Sequence, residues 1–267
     1  HGTDTLHYTS SALSLFLKNL NKPVVLTYSQ RSIDRASSDA NLNLQCSALA
    51  AISDIAEVML VGHGTINDDY CYAMPGTKVR KMHTSRRDAF KVINEKPIAK
   101  IFPDKIQILK DYKKRNNKKV KTDTLFEEKV ALLKIYPGQS PDILDFYVKK
   151  KCKGIILEMS GLGHLPVKSK NSWIKKLKEV QEKKGLIICA TAQTVYGRLD
   201  PFVYSNGREL LETGIIYLED MLSETAFVKL SWVLGHKEWI KNKETIKGKM
   251  LENFSHEFNN RLEFENF

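Results

Sequence analysis

Three side chains could do chemistry together if the fold joined them. Thr3 and Asp4 stand in the run His1-Gly2-Thr3-Asp4-Thr5, which sets a hydroxyl beside a carboxylate immediately after a glycine. Lys81 opens a second stretch, Lys81-Met82-His83-Thr84-Ser85-Arg86-Arg87-Asp88-Ala89-Phe90. A threonine hydroxyl is a weak nucleophile at its free pKa and needs a base or an adjacent cation. A lysine amine accepts a proton only when burial or neighbouring charge lowers its pKa, so Lys81 must lie inside its domain to take that part. Activation of a hydroxyl or of water is the chemistry such a set suits. Spacing alone leaves two plainer readings open. Thr-Asp after glycine is also an ordinary helix N-cap, and Arg80, Lys81, Arg86 and Arg87 also suit a solvated basic loop in which His83 and Asp88 bond locally.

The elements that must position these residues read as alternating helix and strand. Tyr8 to Leu20 carries Leu13, Phe16, Leu17 and Leu20 on one helical face. Val24 to Thr27 is a short β-branched strand that opens into a polar loop, and Ser38 and Asp39 are N-cap residues for a helix bearing Leu42, Cys46, Leu49 and Ile52. Glu57 to Gly62 is a strand ending in a His63-Gly64-Thr65 turn. From Asn67 to Ile101 the pattern weakens into short strands and polar loops, and Pro103 to Thr124 reads as an irregular, lysine-heavy edge and linker. The alternation restarts with strands at Val130–Tyr136, Gly154–Met159, Leu186–Thr191 and Gly214–Leu218. Helices are expected at Ser140–Lys150 and Asn171–Lys184, with a helical tail after the last strand. An α/β protein with mainly parallel sheets follows, in two domains, 1–126 and 127–267.

The 267 residues are 42% hydrophobic and 27% charged, a globular balance. No apolar run approaches the roughly 18 residues of a spanning helix, so no membrane role is expected. Cys46, Cys71, Cys152 and Cys189 stand singly in apolar surroundings, which suits free thiols in a reducing, cytoplasmic compartment. Seven histidines show no metal-ligating spacing, and neither a metal nor a cofactor is expected in this chain. Gly161-Leu162-Gly163 lacks the third glycine and the later acid of a dinucleotide turn and reads as a strand-to-helix turn. The net charge is +11, much of it at Lys110, Lys113, Lys114, Arg115, Lys118, Lys119 and Lys121. That cluster reads as a solvated loop, with a phosphate backbone as the alternative occupant.

Several stretches together resemble the asparaginase family: HGTDT at 1–5, Gln30-Arg31-Ser32 with Asp34-Arg35 and Ser37-Ser38-Asp39, HGT at 63–65, KMHTSRRDAF at 81–90, Tyr136-Pro137-Gly138, GLGH at 161–164, Tyr196-Gly197-Arg198 and Glu219-Asp220-Met221-Leu222. HGTDT is general to that family. KMHTSRRDAF and the YGR segment point to its branch within tRNA-dependent amidotransferases. The resemblance implies an asparaginase-like fold and hydrolysis of the side-chain amide of glutamine, with Thr3 as the second of two catalytic threonines, Asp4 as the aspartate and Lys81 as the lysine. The first threonine is implied on a T-G-G-T turn upstream of His1, so the chain is expected to be a piece whose first domain is truncated at its N-terminus. Also implied is a partner, the amidotransferase E subunit, which holds ATP, magnesium and most contacts to tRNA(Gln), in a heterotetramer containing a dimer of this subunit.

Two other readings stay open at this level. A free-standing asparaginase could use the same residues on asparagine. A catalytically incomplete assembly module could dock a partner protein or tRNA through its basic surface. Val228 to Leu234 and Trp239 are candidate subunit contacts, although a terminal amphipathic helix also suits packing on its own domain.

Overall fold

The computed structural model describes residues 1–168 and 170–262. The chain divides into two compact units, His1–Asp123 and Thr124–Leu262. In chain order the first unit contains α1 (Leu6–Phe16), β1 (Leu17–Lys18), β2 (Val24–Thr27), α2 (Ala40–Ile52), β3 (Val58–His63), β4 (Cys71–Pro75), β5 (Val79–Lys81), β6 (Phe90–Val92), β7 (Ala99–Ile101), β8 (Ile106–Ile108) and β9 (Lys121–Thr122). Among the described residues its main sheet runs β2-β3-β4-β7-β8. Only β2 and β3 pair in parallel, joined through α2; β3-β4, β4-β7 and β7-β8 are antiparallel. The α/β expectation is met, but strand direction in this unit is mixed rather than mainly parallel. The cause lies in the connections: residues 64–70 are too few for the crossover of about a dozen residues that a parallel neighbour requires. Every residue of β3 is buried, as befits a strand covered on both faces.

Three other expectations change here. The first helix stops at Phe16 because Leu17 and Lys18 leave it to pair with Thr122 and Lys121. Pro103–Thr124 is not wholly irregular, since Ile106 and Ile108 extend the main sheet as β8 and Lys121–Thr122 forms β9. Asp39 occupies the N-cap position of α2 without capping it, and the Ser38 hydroxyl instead accepts from Ala40 N at 3.2 Å.

The second unit contains β10 (Val130–Lys134), α3 (Ile143–Lys149), β11 (Gly154–Met159), α4 (Ile174–Glu182), β12 (Ile187–Ala192), α5 (Ser205–Leu211), β13 (Ile216–Tyr217), α6 (Ser223–Gly235) and α7 (Lys243–Leu251). Its sheet, β10-β11-β12-β13, is parallel throughout. The turn at Gly161–Gly163 does not lead directly into a helix: a bridge between Ser160 and His164 closes it, and α4 begins at Ile174. Gly163 has φ +99° and a Cβ there would meet the Tyr217 ring at 2.5 Å, so a side chain fits neither the backbone nor the space. Trp173, Leu157, Ile188 and Leu210 are buried in the core between sheet and helices. Helix α6 is buried along its length, Leu230 and Trp232 fully, and Trp239 stacks on His236 with ring centroids 3.7 Å apart. Val228–Leu234 are core of their own unit, so the subunit-contact reading of that stretch gives way, whereas Trp239 is only half-buried at its margin. Among the described residues no helix is long and apolar enough to cross a membrane.

Among the polar contacts that hold the segment after α7 is a buried ion pair. Lys229 and Glu257 are both fully buried and meet at 2.8 Å, and Glu257 also accepts from Ser255 N at 2.6 Å. Removing one member of a buried pair strands the other charge, at a cost of about 3–5 kcal/mol. Lys229→Ala is therefore expected to lose about 3 kcal/mol in denaturant unfolding, while Lys229→Met with Glu257→Gln recovers at least half of that loss.

Candidate active site

The first unit brings Thr3, Asp4 and Lys81 together. Thr5 O accepts from Tyr8 N and Thr9 N, both at 3.1 Å, so α1 starts at Leu6 and the N-cap position falls to Thr5. Thr3 and Asp4 lie in the turn before it, outside the helix. Lys81 ends β5, directly opposite Phe90 of β6, and its register on that hairpin aims it at the turn. Lys81 Nζ donates to Thr3 Oγ1 at 2.8 Å and to Asp4 Oδ1 at 3.1 Å. The Lys81 side chain is 15% exposed and that of Asp4 is 93% exposed, so the hydroxyl and ammonium sit at the wall of the unit and the carboxylate faces solvent. Asp4, Lys81, Met82, His83 and Thr84 line an open cavity of about 310 Å³. Lys81 is thus mostly covered and bonded to Thr3 and Asp4, which lie outside the helix, so neither a helix cap nor a solvated loop describes these three residues.

The residues that support this site read differently in the sequence, where Asp39 is a helix cap and Arg87 part of a basic loop, and Tyr28, Asn43 and Asp68 stand outside the quoted motifs. The buried Asp39 carboxylate turns back on the loop after β2, accepting from Gln30 N and Arg31 N at 3.0 Å and from the Ser29 hydroxyl at 3.0 Å. Asn43, one turn along α2, donates to Tyr28 O at 3.0 Å, and its Oδ1 lies 2.6 Å from His63 Nδ1. His63 Nε2 is 3.1 Å from Asp68 Oδ1, and Arg87 Nη2 reaches both oxygens of Asp68 at 2.9 and 2.8 Å. Arg87 Nη1 donates to Ile66 O at 2.7 Å, and Tyr28 OH donates to Arg87 O at 3.1 Å. Gly62 lets Tyr28 lie there, because any side chain at 62 would run into the tyrosine ring. The loop that follows Lys81 is therefore tied to the ends of β2 and β3.

Charge settles the same loop from within. Burial alone would push the Asp88 carboxyl up, but hydrogen bonds from Arg86 and Lys91 outweigh it and hold the group below its ordinary range. The same balance, with Arg87 and then His63 as donors, lowers Asp68. His7, on the face of α1 toward Phe90, is pushed down to about 4 by burial first and by the charges of Arg80 and Lys81 second. A neutral imidazole beside Lys81 is the form the fold prefers.

The fold and this constellation define a class. Residues 1–114 match the family model described as Asparaginase, N-terminal, and residues 129–247 match the Glutaminase/Asparaginase C-terminal domain. The chain belongs to the asparaginase/glutaminase family. It is 53% identical over 269 residues to the D subunit of the Glutamyl-tRNA(Gln) amidotransferase of Pyrococcus abyssi, covering 100% of this chain and 60% of that one. The protein of the same name from Methanothermobacter thermautotrophicus is 45% identical, again covering 100% and 60%. Among solved structures, the thermostable L-asparaginase from Thermococcus kodakarensis superimposes with a TM-score of 0.87 at 31% identity, covering 98% of this chain and 75% of that one. L-asparaginase I from Vibrio cholerae gives 0.82 at 27%, covering 97% and 75%. The chain spans about 60% of the length of the curated relatives it matches.

The depressed His7 fixes a pH dependence. Its folded value of about 4 lies below the ordinary 6.5, so the unfolded chain binds the extra proton between those values. Stability therefore rises with pH across that window and falls as pH drops through it, by about 2–3 kcal/mol from this group. Denaturant unfolding at pH 7 and pH 4.5 is expected to show a loss smaller by about that amount in His7→Asn than in the parent chain. Equal losses in the two would contradict the assignment.

Proposed function

We propose that this chain is the amide-hydrolysing part of the D component of a Glu-tRNA(Gln) amidotransferase, which releases ammonia from glutamine for conversion of Glu-tRNA(Gln) to Gln-tRNA(Gln). The observation that carries the chemistry is Lys81 Nζ held at 2.8 Å from Thr3 Oγ1 and 3.1 Å from Asp4 Oδ1. Thr3, Asp4 and Lys81 are the catalytic residues in this reading. Hydrolysis adds water across the C–N bond of the side-chain amide, leaving a carboxylate and ammonia. In its amine form Lys81 takes, through the Thr3 hydroxyl, the proton of a water whose oxygen bonds the amide carbon as the C–N bond breaks, and Asp4 steadies the resulting ammonium. The same proton is then available to the departing nitrogen.

The choice of glutamine and of the amidotransferase rests on the relatives named for that complex, which match along the whole of this chain. In this proposal the E subunit supplies ATP, magnesium and most contacts to tRNA(Gln), two copies of each subunit assemble, and the complex works in the cytoplasm. This chain contributes no cofactor. The second reading, a free-standing asparaginase, draws on the two L-asparaginase structures.

In the full-length protein with its partner, Lys81→Ala is expected to lower glutamine hydrolysis by at least about 10²-fold while thermal unfolding shifts little, since the exposed Asp4 tolerates losing its cation. Retention of most of the parent rate would overturn the assignment. Ammonia release from glutamine and asparagine, with and without the E subunit, separates the two readings. Glutamine turnover raised by the partner fits the amidotransferase, and partner-independent preference for asparagine fits the asparaginase.

A further inference from the structure

A concentration of positive charge lies away from the site, in the strap Lys110–Lys121. Seven cations stand there against the single carboxylate of Asp111. Two of the cations are engaged. Lys110 pairs with Glu95 at 3.0 Å, and Arg115 donates to the last carbonyls of α2, Ser53 O at 2.6 Å and Ala51 O at 3.1 Å. Lys113, Lys114, Lys118, Lys119 and Lys121 are exposed, and among the described residues no carboxylate pairs with their ammonium groups, although Glu57 Oε1 accepts from Lys113 N at 2.8 Å. The same holds for Lys22 beside them in the fold.

The strap is not a loose loop. Tyr112 OH donates to Asp54 Oδ1 at 2.7 Å, Ala56 N to Lys113 O at 2.6 Å and Arg115 N to Asp54 O at 2.8 Å. Asn116 Nδ2 reaches Leu20 O at 3.2 Å, and Asn21 Nδ2 donates to Lys118 O at 2.8 Å. Backbone bonds thus fix the bases of lysines whose ammonium groups are left to solvent. Ordering like charges along a fixed track is unfavourable until a polyanion neutralises them.

We infer that this strap is a docking surface for the phosphate backbone of a folded RNA. Lysines acting as point charges suit phosphates read without sequence preference. A lipid surface would need apolar side chains set among the cations. Within the strap none is exposed, since Tyr112 is turned onto Asp54 and Val120 is half-buried; the exposed Leu109 precedes it and the exposed Ile52 stands at the end of α2, neither among the lysines of the strap. Its anchors, Leu20, Asn21, Asp54 and Ala56, all precede β2 or β3, whereas the loops around the candidate site follow those strands. The two surfaces therefore lie at opposite ends of the same parallel pair. The docking surface does not depend on the glutaminase reading; it adds a contact to RNA made by this chain itself.

The test measures binding of an in vitro transcribed tRNA to the assembled full-length complex as salt is raised, for the parent and for Lys113→Gln/Lys114→Gln/Lys118→Gln/Lys119→Gln. Each phosphate neutralised contributes about 0.7–0.9 to the slope of log K against log salt. The expected result is a slope shallower by about 3 and a Kd raised at least tenfold near 0.1 M salt. Glutamine hydrolysis should stay unchanged, and the four corresponding Lys→Arg changes should retain binding. An unchanged slope and Kd would overturn the inference, as would loss of binding to phosphatidylserine vesicles with tRNA binding intact. Lysine-dependent RNA binding by a complex that hydrolyses no glutamine would support the docking surface and sink the proposed activity.

Discussion

The ammonium of Lys81, shared between Thr3 Oγ1 and Asp4 Oδ1, is the contact that gives this chain a chemical reading. It joins residues 78 and 77 positions apart, so it exists only if α1 and the β5–β6 hairpin pack in one register. A slip of one residue on that hairpin would turn Lys81 to the opposite face and bring Arg80 to its place. Phe90, buried opposite Lys81, blocks such a slip, because it would be carried out of the core it shares with Leu6, Tyr28 and Val79.

Rigidity at the site comes from polar groups rather than from the core alone. Asp39, Asn43 and His63 are buried, and unpaired they would each cost more than a lost hydrogen bond. Each is instead joined to the next, and the chain of bonds ends on Asp68 and Arg87 beside solvent. The ends of β2 and β3 and the loop after Lys81 therefore move as one piece. Such a network fixes the loop that follows Lys81 while leaving the cavity beside it open.

Much of the frame was legible in the residues. The apolar runs at 58–62, 154–159 and 187–191 are buried strands, and HGTDT and Lys81 meet as their chemistry asks. What escaped has physical causes. Leu17 fits the helical face of α1 by spacing, and only pairing with a strand more than a hundred residues later draws it out of the helix. Ile106 and Ile108 are too few to show a period, yet β7 supplies the ladder that makes them a strand. Asp39 has the right residue type and place for a helix cap, but two amides of the preceding loop compete for its carboxylate and win. The antiparallel half of the first sheet follows from connection lengths, which local periodicity does not report. The roles of Asn43, Asp68 and Arg87 are tertiary: Arg87 stands in the quoted KMHTSRRDAF stretch without its partner Asp68, and the QRS and HGT motifs flag the neighbourhood of Asn43 and Asp68 without naming them.

In the proposed reaction, amide hydrolysis and delivery of the ammonia to tRNA are separable steps, and nitrogen can be followed through both. The most direct measurement supplies the assembled full-length complex with Glu-tRNA(Gln), ATP, magnesium and glutamine labelled with ¹⁵N at its side-chain amide. The account predicts labelled Gln-tRNA(Gln) from the parent and none from Lys81→Ala, with amidation by that variant restored when an ammonium salt is added. Transfer of label by Lys81→Ala at the parent rate would contradict it.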